Sequence, residues 1–393
     1  MVAVDAHGLV TDSSAAGFLQ LVRESGPLTR ADLVARTGLP RSTVVARLAP
    51  LLDAGFVVQD SAAPSTGGRP AETFAFNPGA RLVVAVDVGA THTAVALTDL
   101  NGHVLASREC AIEVSAGPEV VLGQIMKDAR ALVPRSKARR AKVAGIGVGL
   151  PGPVEHARGR AVRPPIMPGW DGFDVGAFLA PLGWPVLVDN DVNLMALGER
   201  AAHWSGVADF LFVKVATGIG AGIIAGGMLQ RGADGTAGDI GHLPVASGLS
   251  GFGSGVPVRC ACGNVGCLEA VASARALVRE LDSAGALVSG TRGLIDAVAA
   301  GDTAAVHAVR QAGRDIGEAL ASCVNLLNPS VVVVGGALAQ TGEVLLAGIR
   351  EVVHTRSSPL AASRVRIELS RAAGSAAVLG AAEMVARHVL AKV

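Results

Sequence analysis

Little in this chain's bulk composition points to a partner. Aromatic residues make up 3% of its 393 residues, and lysines are few beside alanine, valine and glycine. That balance looks like high-GC coding and carries no functional message. Only five cysteines are present, so any crowding among them is informative. The net charge of +1 gives no overall case for nucleic acid, and a DNA contact would have to come from local clustering. No stretch of about 18 residues is free of charge and turn formers, which argues against a membrane span. Residues 1–14 carry Asp5 and Asp12 and lack a basic-then-apolar signal pattern. The expectation is a cytoplasmic chain with reduced thiols, long enough for two or three domains with substantial cores.

Three of the five cysteines do crowd together. Cys260, Cys262 and Cys267 fall within eight residues, separated by Gly263 and Gly266, with His242 upstream. Three thiolates and one imidazole make a closed tetrahedral set for Zn2+, with no position open for a catalytic water. The intervening glycines permit the tight turns that aim sequence neighbours at one ion. Buried free cysteines or a redox pair are the simpler alternative.

The run Cys260-Ala261-Cys262-Gly263-Asn264-Val265-Gly266-Cys267-Leu268-Glu269 resembles the signature C-x-C-G-x-x-G-C-x-E of the ROK family of repressors and sugar kinases. Gly238-Asp239-Ile240-Gly241-His242 resembles the family's Glu-x-Gly-His, with aspartate for glutamate. The resemblance implies that His242 meets zinc through one ring nitrogen and a sugar hydroxyl through the other. It also implies that Asp239 and Glu269 face the sugar. A metal on one imidazole nitrogen fixes the tautomer and aim of the other.

Residues 15–80 read as a winged helix-turn-helix. A first helix suits Ala15 to Glu24, and Thr29-Arg30-Ala31-Asp32 has capping-box form for a second over Arg30 to Arg36. Thr37-Gly38 makes the turn. A third helix should run from Arg41 to Asp53, with Val44, Val45, Leu48, Leu51 and Leu52 spaced for burial. Strands at 56–58 and 73–76 flank a loop with Gly67-Gly68-Arg69-Pro70 at its tip. Between residues 30 and 47, four arginines face one aspartate. Arg41, Ser42, Thr43 and Arg47 lie where base edges would be reached, and Arg69 suits a minor groove or phosphate. A protein-interaction module with a charged face is the alternative. ROK repressors carry such a unit, including a G-R-P wing, ahead of the sugar domain, and their dimers or tetramers bind palindromic operators.

Residues 81–393 read as a two-lobed α/β body. A strand at 82–87 runs into Asp87-Val88-Gly89-Ala90-Thr91, and a strand at 210–215 into Ala216-Thr217-Gly218. Strand, glycine turn, strand thus occurs twice, as in the actin, hexokinase and sugar-kinase fold. Each turn offers backbone N–H groups to phosphate, and Asp87 suits Mg2+ held through water. Val331–Val334 ends in Gly335-Gly336, resembling a turn that lies along adenosine. Val186 to Asn193 delivers polar groups at a strand's carboxyl end ahead of a helix at 194–202, a placement that favours ligands. It resembles the family's E-N-D-A-N, which implies Asp191 as catalytic base and Asn190 on a neighbouring hydroxyl. A helix N-cap at Asp191 is the simpler reading. Pro164 to Phe173 looks like the loop over the sugar, 135–142 is a basic surface run, and Cys110 and Cys323 read as core.

The fold expected is therefore α/β: a winged helix-turn-helix (1–80) followed by an actin/hexokinase-like body (81–393) with a zinc motif at 242–269. A sugar-responsive DNA-binding repressor fits first. An ATP-dependent hexose or amino-sugar kinase is the alternative, disfavoured by Ala90, Ala216 and Asp239 where the kinase pattern differs. The implied partners are duplex operator DNA, a sugar or sugar phosphate, a homodimer or homotetramer partner, and no membrane. Structural Zn2+ is implied as cofactor, and the kinase alternative adds ATP and Mg2+.

Overall fold

The computed structural model describes residues 14–60, 72–133, 142–164, 166–250, 256–286 and 288–393. The wing tip with Arg69, and Arg135, Lys137, Arg139 and Arg140 of the basic run, lie outside them.

The N-terminal unit holds α1 (Ala15–Ser25), α2 (Arg30–Thr37) and α3 (Arg41–Asp53). Thr29 and Asp32 form the capping box that starts α2, and Gly38, at φ 67°, ends it in the left-handed conformation. Two residues missed in the sequence, Leu28–Thr29, make a short strand β1. It joins β2 (Val57–Asp60) and β3 (Thr73–Phe76) in the order β1-β3-β2. On α3 the buried set is Val44, Leu48 and Leu51, whereas Val45 is 45% exposed and Leu52 half-buried. A helical stripe of i, i+4, i+7 accounts for this, because Val45 lies one position off it.

The body is built from two sheets with the same wiring. The first contains β4 (Leu82–Val88), β5 (Thr93–Asp99), β6 (Val104–Cys110), β7 (Val143–Leu150) and, beyond the ribbon β8 (Val154–Glu155) and β9 (Arg160–Ala161), β10 (Val186–Asn190). Its order is β10-β7-β4-β5-β6. The second contains β11 (Phe210–Val215), β12 (Ile219–Ala225), β13 (Met228–Gln230), β14 (Val331–Gly335) and β15 (Arg366–Leu369), in the order β13-β12-β11-β14-β15. In each, three antiparallel strands are followed by two parallel ones added on the far side of the first. Strand β14, flanked by β11 and β15, is buried at every position, which explains its unbroken valine run. Helices named below are α4 (Pro118–Leu132), α5 (Asp191–His203), α6 (Leu268–Ala272), α7 (Thr303–Leu327) and α8 (Ala376–Leu390). Cys323 is buried in α7, but Cys110, at the end of edge strand β6, is only half-buried.

The two units share one apolar core, in which Phe18, Leu21 and Phe74 join Leu100, Ala382 and Ala386. Across this seam Arg23 of α1 donates to Glu383 of α8 at 2.7 Å. Helix α8 in turn lies along α5 in backbone contact: a Cβ on Gly380 would sit 1.7 Å from the Leu194 carbonyl oxygen. No helix among the described residues is long and apolar enough to cross a membrane.

Candidate functional site

Between the two sheets lies a cavity of about 590 Å³. Its walls include Thr91, Asn190, Asp191, Thr217, Gly218, Asp239, His242 and Glu269 from the sequence reading, together with Lys214 and Arg275. The glycine turns after β4 and β11 deliver the threonines, and the end of β10 delivers Asn190 and Asp191. Asp87, Gly89, Gly335 and Gly336 are not among the wall residues. Gly335 packs against the Phe212 ring instead.

The polar group at the end of β10 differs from expectation in one respect. Helix α5 starts at Asp191, three residues early, and its N-cap is Asn190, whose Oδ1 accepts from the backbone of Val192 and Asn193. Asn190 Nδ2 donates to Gly152 O at 2.8 Å. Asn190 is therefore largely engaged within the fold, while Asp191 in the first turn is free of the capping role. Its partner is Lys214 Nζ, 2.5 Å away. Burial pushes Asp191 above the ordinary carboxylate range, with Lys214 pulling it back and Asp87 adding to the push. Burial also works against the charge on Lys214, yet Asp191, Asp87 and Glu269 outweigh it and hold the ammonium's pKa above the usual lysine value.

On the opposite wall, Glu269 at the start of α6 accepts from Ile219 N at 3.1 Å and lies 3.6 Å from Arg275. It fits only because residue 218 is glycine, since a Cβ there would sit 2.6 Å from the carboxylate. Burial lifts Asp239 as well, with His242 opposing and Glu269 adding. A second ion pair, besides Lys214–Asp191, spans the lobes. Asp189 of β10, fully buried, accepts from Arg231, which follows β13, at 2.8 Å, and from Asn193 at 3.0 Å.

Behind His242, the ligand atoms of His242, Cys260, Cys262 and Cys267 all lie within 4.8 Å of one another. Nδ1 is the histidine nitrogen facing the thiols, 3.8 Å from Cys260 Sγ, and Cys262 and Cys267 are 3.8 Å apart. Tetrahedral Zn2+ with bonds of about 2.3 Å to sulfur implies edges of about 3.8 Å, so the set fits the ion. Burial and the neighbouring thiols push Cys267 up to about 12 and also raise Cys260. Gathering three thiolates here thus calls for a cation.

On the N-terminal unit, Arg41, Ser42 and Arg47 are exposed on α3 and Thr43 is half-buried. Arg41 and Arg47 make no ion pair among the described residues. By contrast, Arg30 is held by Glu72 and Arg36 by Ser25. Sequence reasoning missed Lys214, His92, Arg275 and the Asp189–Arg231 tie. The one available signal was a lysine inside the otherwise apolar strand 210–215.

A helix-turn-helix with a wing, set on an actin/hexokinase-like body with a polar cleft, defines the class: a kinase-fold chain carrying a DNA-reader module. The ROK family profile matches residues 83–388, and the chain belongs to the ROK family. The IclR helix-turn-helix domain profile matches residues 15–61. A putative xylose repressor of Caldicellulosiruptor sp. (strain Rt8B.4) is 29% identical over 98% of each chain. A ROK family transcriptional regulator described as a homolog of E. coli MLC superposes with a TM-score of 0.81 at 26% identity, over 96% of this chain and 95% of that one. A ROK family glucokinase from Streptomyces griseus, solved with glucose and AMPPNP, covers 77% of this chain and 98% of its own, with a TM-score of 0.65 at 27% identity.

Proposed function

We propose that this chain is a sugar-responsive transcriptional repressor, with residues 1–80 reading operator DNA and residues 81–393 binding a sugar. The carrying observation is that an exposed, arginine-bearing α3 and a polar cavity occur in one chain, joined by a buried ion pair. Arg41, Ser42, Thr43 and Arg47 form the reading surface, with Arg69 of the wing added from the sequence. The exposed Val45 on the same helix suits a thymine methyl. A homodimer or homotetramer presents two such surfaces to two half-sites.

Asp191, Asp239, Glu269 and His242 bind the sugar hydroxyls, and Asn190 contributes its remaining amide hydrogen. Zn2+ held by His242, Cys260, Cys262 and Cys267 has no open coordination position and serves to fix the aim of the second imidazole nitrogen. The sugar signal has a route to the reader. Asp191 opens α5, α5 lies against α8 at Gly380, and α8 presents Glu383 to Arg23. Such coupling is typically about 1–3 kcal/mol, or roughly 5- to 150-fold in DNA affinity.

Fluorescence anisotropy on DNA from the chain's own upstream region, with D-xylose, D-glucose and N-acetylglucosamine in turn, tests the reading. One sugar should change operator affinity by a factor in that range. Arg41→Ala and Arg47→Ala should each weaken DNA binding, by about 1–3 kcal/mol for a base contact, while sparing sugar binding. Operator affinity indistinguishable from that for random DNA, or indifference to every sugar, would overturn it. The second reading is ATP-dependent sugar phosphorylation, with Asp191 as base and Asp87, Gly89, Thr91, Thr217, Gly218, Gly335 and Gly336 on Mg·ATP. The observation favouring it is that Asp191 lies on the cavity wall. Phosphorylation of any sugar, abolished by Asp191→Asn, would establish it.

A further inference from the structure

The floor of the cavity carries charges that do not suit a magnesium nucleotide. Lys214 stands on β11 with glycine partners on both sides, Gly220 on β12 and Gly335 on β14. No neighbouring side chain on those strands crowds it, and its ammonium reaches Asp191 at 2.5 Å. The Asp191 side chain is 4% exposed and that of Lys214 21%, so the pair is largely sheltered from water. The second carboxylate of the region, Asp87, has its own partner: His92 Nε2 lies 3.6 Å from Asp87 Oδ2. Asp87 beside it raises the His92 pKa, against the pull of burial. The His92 ring is also folded over the glycine turn, since a Cβ on Gly89 would meet ring atom Cε1 at 2.2 Å.

A magnesium nucleotide needs carboxylates free to orient the hydrated metal and a glycine turn open to phosphate oxygens. Here Asp191 already faces an ammonium that the chain supplies, and the His92 imidazole stands beside Asp87 and covers the turn. A divalent ion entering beside Asp191 would also meet the Lys214 ammonium as a like charge. The residues present therefore do not fit Mg·ATP.

We propose that Lys214, assisted by His92, is the resident counter-ion of this site, standing in for the metal nucleotide, so that the cavity binds its sugar with neither nucleotide nor divalent cation and leaves it unphosphorylated. This inference rests on reading the cavity as a sugar site, and it makes Lys214 the residue that separates a sensor from a kinase on this fold. Asp191 has Lys214 beside it and Asp87 has His92 beside it before any ligand arrives.

The test uses the full-length, zinc-loaded protein. Calorimetric titration with Mg·AMPPNP at a few millimolar should give no binding, and the sugar identified by the anisotropy screen should bind with the same Kd, within about twofold, with or without Mg·AMPPNP or EDTA-free Mg2+. Mn2+ alone should leave the melting temperature of the wild type unchanged. Lys214→Met, which keeps bulk and removes charge, and Lys214→Ala combined with His92→Ala should each acquire Mn2+-dependent stabilisation and Mn2+-bound signal in electron paramagnetic resonance. Nucleotide binding by the wild type, or sugar affinity that rises more than fivefold with Mg·AMPPNP, would overturn the inference, and needs no variant that folds. Folded variants as indifferent to Mn2+ as the wild type would overturn it too. Failure of the repressor reading shows separately, as absence of any sugar binding or operator response in the wild type.

Discussion

Replacing Glu383 by glutamine removes one charge from the seam between DNA reader and body. Its Oε2 accepts from Arg23 at 2.7 Å and its Oε1 from Arg387 at 2.6 Å, and its side chain is 7% exposed. Arg23 has further bonds to Leu100 O and Asn101 Oδ1, and its guanidinium lies 5.7 Å from the centre of the Phe76 ring. Burial pushes Glu383 up, but Arg23 and Arg387 outweigh it and hold its pKa below the usual glutamate value. Glutamine would leave two guanidinium groups facing a neutral amide. Breaking a buried pair costs about 3–5 kcal/mol. Arg23 keeps its other partners and some water, so about 2–3 kcal/mol is the reasoned cost.

That loss falls on the seam where the two units meet around their shared core. Scanning calorimetry should show the reader melting ahead of the body, where the wild type melts with the two together. Operator affinity should become nearly indifferent to sugar while sugar binding persists. The folded pKa of Glu383 is depressed, so its contribution is present above about pH 4.5, the ordinary value, and lost as pH falls through the folded value. Wild-type melting together with a wild-type sugar response in Glu383→Gln would refute both the energetic estimate and the α5–α8 route.

Other perturbations are as direct. Asp315 of α7 is buried and its pKa is pushed up to about 6, burial outweighing the bond it accepts from Gln311. The preference for its neutral form stabilises fully below about pH 3.8 and is lost as pH rises through about 6. Asp315→Asn should therefore gain up to about 3 kcal/mol at pH 8 and progressively less toward pH 4, and urea midpoints independent of pH would contradict this. Cys267→Ser should lose stoichiometric zinc by plasma mass spectrometry and weaken sugar binding; full metal content would remove the cysteine cluster from the argument. Gly380→Ala would press a methyl into the Leu194 carbonyl and should cost at least the upper part of the usual 1–3 kcal/mol for overpacking, roughly 3 kcal/mol. An unchanged denaturation midpoint would show that α5 and α8 are not in firm contact.

Much of this architecture could be read from residue order. The capping box at Thr29 and Asp32, the apolar run of β4 and the crowding of Cys260, Cys262 and Cys267 are local signals, and local signals survive in a linear text. The start of α5 was harder, because Asp189, Asn190, Asp191 and Asn193 are all polar and short, and any of the first three could cap. Val45 and Val44 are neighbours in sequence and identical in type, and only packing decides which one faces solvent. Lys214 showed in the sequence only as a charge inside an apolar strand, because its meaning depends on sheet register, which places glycines beside it, and on Asp191 from another strand's end. Glu383 lies in a helix of small and apolar residues, 360 positions from Arg23. No periodicity announces a bond of that span.

The tie between Arg231 and Asp189 has an energetic consequence. It links the lobes with the aspartate fully buried and the arginine side chain 29% exposed, so any opening that parts them strips a cation from a carboxylate still sheltered from water. That cost falls on the open arrangement of the lobes whether or not a guest is present.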